Sequence, residues 1–96
     1  MTIIDEFQRW YLGQCDGDWE HQYGIKIQTI DNPGWRISID LAETPLSERA
    51  FPETQFQGEV GDDWYVCKVI DKKFEGACGP ARLDRVISIF LDWAYK

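Results

Sequence analysis

Ile3, Phe7, Trp10 and Tyr11 recur at the spacing of one helical face, and from Tyr23 the period drops to two. Thr2 is placed to cap the first segment through its hydroxyl, and Asp5 and Glu6 suit the positive end of a helix dipole, so residues 3–14 read as a helix. Gly13 weakens its last turn. Gly17, inside Cys15-Asp16-Gly17-Asp18, is free to take the left-handed conformation, which predicts a tight acidic corner. Tyr23, Ile25, Ile27 and Thr29 then alternate with Gly24, Lys26, Gln28 and Ile30, as in a strand with one face buried. Asp31-Asn32-Pro33-Gly34 supplies a fixed φ and a glycine able to adopt positive φ, and Trp35, Ile37, Ile39 and Leu41 alternate after it. A β-hairpin follows.

Residues 42–62 hold Pro45, Pro52, Gly58 and Gly61 among polar and acidic residues, which predicts a long surface connection with a short strand at Thr54 to Gln57. Trp64 to Ile70 is rich in aromatic and β-branched residues on both faces, which predicts a central strand buried on both, with a further short strand near Phe74. Pro80 suits a first helical position, and Leu83, Val86, Ile87, Phe90 and Ala94 form one apolar stripe with Arg82, Asp84, Arg85 and Asp92 largely off it. The elements predict an α+β fold: an antiparallel sheet of three to five strands with an N-terminal and a C-terminal helix packed on it.

Length and charge narrow the partners. A chain of 96 residues supports one core, so residues 1–96 are expected to form a single domain. Acids outnumber bases by 17 to 10, a field that repels phosphate backbones and anionic lipids and attracts basic protein surfaces. Direct nucleic-acid binding and membrane insertion are not expected. With acids at Asp5 and Glu6 and no long apolar run, a cytoplasmic location is. The acids are not spread evenly: residues 1–20 carry five against one base, and residues 40–63 carry seven against one. Asp16, Asp18, Trp19, Glu20, Glu43, Glu48, Glu53, Glu59, Asp62 and Asp63 are therefore the candidate partner-binding residues, forming a concave or two-part surface for a basic partner.

Trp10-Tyr11, the run Gln14-Cys15-Asp16-Gly17-Asp18-Trp19-Glu20-His21, Tyr23-Gly24 and Asp31-Asn32-Pro33-Gly34-Trp35 resemble the signature of the immunity protein 53 family. The likeness continues through Ile39-Asp40-Leu41, Thr44, Leu46, Trp64-Tyr65, Cys67, Phe74-Glu75-Gly76 and Phe90-Leu91-Asp92-Trp93. This resemblance implies an antitoxin of bacterial polymorphic toxin systems, a non-enzyme that binds and neutralises a cognate toxin protein. Nucleases with basic clefts are among the candidate toxins. No cofactor is implied, and the expected state is a monomer or weak homodimer.

The same residues have plainer readings. Asp16 can make an Asx turn and Trp19 can fold onto the hairpin, which turns the corner into a helix end rather than an epitope. Asp62 and Asp63 can be a solvated turn. Cys15, His21, Cys67 and Cys78 have the composition of a Cys3His zinc site, so a small metal-binding or thiol-dependent enzyme is the alternative; their spacing lacks the short pairs of zinc modules, and Cys67 lies within a strand pattern.

Overall fold

The computed structural model describes residues 2–59 and 61–96. Helix α1 spans Ile3–Gln14, and Thr2 closes a capping box in which its hydroxyl accepts from the Asp5 amide at 3.1 Å while the Asp5 carboxylate accepts from the Thr2 amide. A one-turn helix, α2 (Trp19–Gln22), follows within the corner. The strands are β1 (Ile25–Ile30), β2 (Gly34–Asp40), β3 (Thr54–Gln57), β4 (Trp64–Ile70) and β5 (Lys73–Cys78), and helix α3 spans Leu83–Ala94. All strand pairs are antiparallel, in the order β1-β2-β5-β4-β3.

Register explains the core. Ile37 faces Gly76, which faces Cys67, and Ile39 faces Phe74, which faces Val69, so these side chains share the sheet face on which the helices lie. Phe74 and Phe90 are fully buried with ring centroids 5.1 Å apart, and Phe90 also meets Trp10 at 4.9 Å and Phe7 at 6.1 Å. Both helices and the sheet therefore meet at Phe90. Edge-to-face rings of this kind add about 0.5–1.5 kcal/mol per pair beyond the area they bury.

Several expectations are corrected. Gly34 opens β2 instead of serving as a positive-φ turn residue; a Cβ on it would lie 2.2 Å from the Cys78 carbonyl oxygen, so close strand approach is what needs glycine there. Strand β4 is not buried on both faces: Cys67 is fully buried, but the helices cover only its side of the sheet, and Ile70 on the other is 47% exposed. Helix α3 starts at Leu83, not at Pro80, because Gly79 to Arg82 forms a turn first; its buried stripe is Val86, Ile87, Phe90, Leu91 and Trp93.

The connection after β2 is not all surface. It must carry the chain from β2 across the ends of β5 and β4 to the far edge, and in crossing it closes the core. Leu41, Thr44 and Leu46 are buried, with the Thr44 hydroxyl donating to the Leu41 carbonyl at 2.7 Å and accepting from the Leu46 amide at 3.1 Å. Val60, in the same connection, lies outside the described residues. Arg49 is the sole base of residues 40–63, and its Nη1 donates to the Trp93 carbonyl at 3.0 Å and the Lys96 carbonyl at 3.2 Å, while the Trp93 indole donates to the Ala50 carbonyl at 2.9 Å. A cation thus satisfies carbonyls at the negative end of α3. Replacing Arg49 with Met should lower unfolding stability by about 1–2 kcal/mol in urea titration, with the far-ultraviolet dichroism of the folded chain unchanged; a midpoint equal to wild type would remove this tie from the account.

Candidate functional site

Two carboxylates and four amides build the acidic corner. Asp16 Oδ1 accepts from the Asp18 amide at 2.9 Å and the Trp19 amide at 3.0 Å, while Glu20 accepts from the Asp16 amide at 2.9 Å and the Gly17 amide at 2.8 Å. Each acid holds the amides beside the other. Gly17 takes φ of 95°, which an L side chain rarely adopts, and that reversal brings the two acids into reach. The Asp16 carboxyl is held below the usual carboxylate range, first by the Trp19 amide and then by that of Asp18. Glu20 is lowered too, chiefly by its own amide, then by those of Asp16 and Gly17 and by His21 nearby.

Trp19 fastens this corner to the body. It is 4% exposed, its indole donates to the Ala42 carbonyl at 2.9 Å, and its ring lies against Trp10, Tyr11 and Tyr23. The ring therefore serves the scaffold and shows a partner almost no surface. Next to it, the Tyr23 hydroxyl donates to Glu43 at 3.2 Å and the Gly24 amide donates to Asp40 at 2.9 Å, so Glu43 and Asp40 stand at the same end of the sheet as Asp16, Asp18 and Glu20. Hydrogen bonding to Glu43 raises the Tyr23 phenol above its ordinary value.

The remaining acids lie elsewhere. Glu48 pairs with Lys72 at 3.2 Å in solvent, and Glu53 precedes β3 on the far edge of the sheet. Glu59, Asp62 and Asp63 sit where β3 ends and β4 begins, about 20 Å along the strands from the corner. Asp63 is engaged by Arg82, which donates to it through both Nε and Nη2 and lowers its carboxyl below the usual range. Arg82 also lies over the Phe56 ring, 5.1 Å from its centroid. Among the described residues, Asp18, Glu53, Glu59 and Asp62 make no side-chain hydrogen bond or ion pair. The acidity is split between two ends, and the corner end holds more of it unpaired with bases.

Cys15, His21, Cys67 and Cys78 are not brought together into one site. Cys15 donates its thiol to the Tyr11 carbonyl in the corner, whereas Cys67 and Cys78 are buried in the sheet, and among the described residues no three of the His, Cys, Asp and Glu side chains come close enough to hold a metal. Burial pushes the Cys67 thiol up to about 12, the opposite of what a nucleophile requires. Residues outside the candidate binding set join the corner: Tyr23 and Asp40, and Tyr11 and Leu12 of α1; Tyr11 falls on the helical stripe expected to be buried, yet it is exposed like the off-stripe Leu12.

A model of the family described as Immunity protein 53 matches residues 4–95. No curated protein and no solved structure matches the chain. No helix among the described residues is long and apolar enough to cross a membrane.

Because folding favours ionised Asp16 and Glu20, their contribution to the corner is complete at neutral pH and is lost as pH falls below the ordinary carboxylate range, about 3.9 for Asp and 4.3 for Glu, through lower folded midpoints. Carboxyl-carbon NMR titration should give midpoints below those values for both, with the Gly17 and Trp19 amide resonances moving in step. Midpoints at or above the ordinary values would contradict the interlock.

Proposed function

The chain belongs to the immunity protein 53 family, and from that membership we propose that it binds a cognate toxin domain of a polymorphic toxin system and neutralises it by contact alone. The family match is the observation that carries this reading. It needs no turnover. The reading gains support from the corner, where three acids stand within five residues, with no Lys or Arg between Trp10 and Ile25.

The toxin surface that fits is basic. A nuclease must hold a polyanion in a positive cleft, so a nuclease domain is the toxin class that matches an anionic inhibitor acting in the cytosol of the producing cell. Asp16 and Glu20 contribute charge while keeping the corner rigid, and Asp18 and Glu43 present theirs outward, steering a cationic partner to this end. Glu48, Glu53, Glu59 and Asp62 extend the negative field towards the far edge, and Asp63 gives least because Arg82 offsets it. The uncovered sheet face suits the same partner less, since Lys26, Arg36 and Lys68 stand on it against Glu75.

The test uses the cognate toxin domain, to be sought in the gene next to this one. Its association rate should fall steeply as salt rises from low to physiological concentration, and Asp18→Lys should slow association by about an order of magnitude without moving the melting temperature, whereas Arg85→Glu should not slow it. A flat salt dependence would remove electrostatic recognition, and absence of any complex would remove the antitoxin reading itself.

A further inference from the structure

Among the described residues, strand β1 has a neighbour on one side only. The Asp40 amide donates to the Gly24 carbonyl, and Gly24 and Asp40 continue the register in which Ile25 faces Ile39. In an antiparallel ladder bonded pairs alternate, so even-numbered residues of β1 direct their main chain to β2, and Ile25, Ile27 and Thr29 direct their N–H and C=O groups outward. These three side chains also lie on the helix side of the sheet. None of the three is charged and no proline interrupts the strand; its one charge, Lys26, lies on the opposite face, so the helix side of the edge is open to strand addition.

Helix α1 does not reach over this edge. Ile37 of β2 is 1% exposed, yet Ile27 directly beside it on the same face is 42% exposed. Between helix and strand runs a groove of about 350 Å³ lined by Phe7, Gln8, Tyr11, Gly24 and Ile25, with Ile4 exposed on the outer flank of α1. The groove opens at Gly24 onto the acidic corner, beside Tyr23, Asp40 and Glu43. The opposite edge is less inviting: β3 has four residues, and its exposed ring, Phe56, is stacked on Tyr65 and covered by Arg82.

We propose that the cognate toxin adds an extended segment to the free edge of β1, setting apolar side chains into the groove between α1 and β1 and a lysine or arginine against the acidic corner. This rests on the toxin-binding reading and names the surface it uses. Main-chain pairing supplies affinity, the groove selects alternate apolar side chains, and the corner fixes the direction of the segment through its charge. Charge complementarity favours this occupant over a second copy. Two chains of net charge −7 joined edge to edge would bring each acidic corner towards the other's Asp31.

The test pairs two edge variants with one control, each titrated calorimetrically against the cognate toxin domain. Thr29→Pro removes an outward N–H without touching the β1–β2 ladder, and Ile27→Lys places a charge over the groove; Lys26→Ala alters the opposite face. Both edge variants should melt within a few degrees of wild type and lose at least about tenfold in affinity, and Lys26→Ala should bind as wild type does. If Thr29→Pro fails to fold, Ile27→Lys decides. Wild-type affinity in the folded edge variants would overturn this proposal and leave the antitoxin reading standing, whereas no toxin binding by the wild type would overturn both. A wild-type dimer in sedimentation that Ile27→Lys dissociates, with toxin affinity unchanged, would assign the edge to a second copy and equally overturn it.

Discussion

Phe90 is where the two helices and the sheet are joined, and the position of every exposed feature follows from that junction. Its ring is buried against Phe74 below, Trp10 and Phe7 to one side and Trp93 to the other. From Trp10 a line of rings continues to Trp19 at 6.4 Å and on to Tyr23 at 6.1 Å, where the Tyr23 hydroxyl meets Glu43. Aromatic packing thus runs unbroken from the centre of the sheet to the acidic corner. A corner of four-residue helix and turn has little stability of its own, and this line gives it a fixed place.

Coverage is the second consequence. Two helices of twelve residues each, drawn together over Phe90, cannot span five strands, so one sheet face stays in solvent and β1 lies beyond the reach of α1. The anionic corner and the bare β1 edge therefore adjoin because the same docking of α1 creates both. An acidic field alone would attract many basic surfaces; a strand edge and an apolar groove beside it add the directional contacts from which specificity is built. On the proposed function, neutralisation by contact requires only that the toxin's working surface be covered.

Much of the fold was legible in the chain. The periodicity of Ile3, Phe7, Trp10 and Tyr11 and the capping residues Thr2 and Asp5 are local signals, and α1 runs over residues 3–14 as they predict. The hairpin, the short strand at Thr54–Gln57 and β4 at Trp64–Ile70 likewise follow from alternation between turn residues. What escaped was set by tertiary structure. Val66 and Ile70 look like core in sequence, yet none of the described helices covers their face. Leu41, Thr44 and Leu46 look like loop, yet the crossing from β2 to the far edge buries them. Charge counting joined residues 16–20 to residues 59–63, whereas the strand order sends them to opposite ends, and the Asp63–Arg82 pairing spans nineteen positions that no local pattern links. The dual use of Asp16 and Glu20 was half visible, as an Asx turn, while the reciprocal grip of Glu20 depends on Gly17.

On the proposed reading, one continuous surface, the corner and the adjoining β1 edge, meets the toxin. Hydrogen exchange of the complex with the cognate toxin domain tests it residue by residue. Protection should rise over residues 16–24 and at the outward amides of Ile25, Ile27 and Thr29, with Arg36, Lys68 and Glu75 on the open sheet face unchanged. Protection confined to that open face or to the Phe56 and Arg82 end, with the corner exchanging as in the free chain, would contradict it.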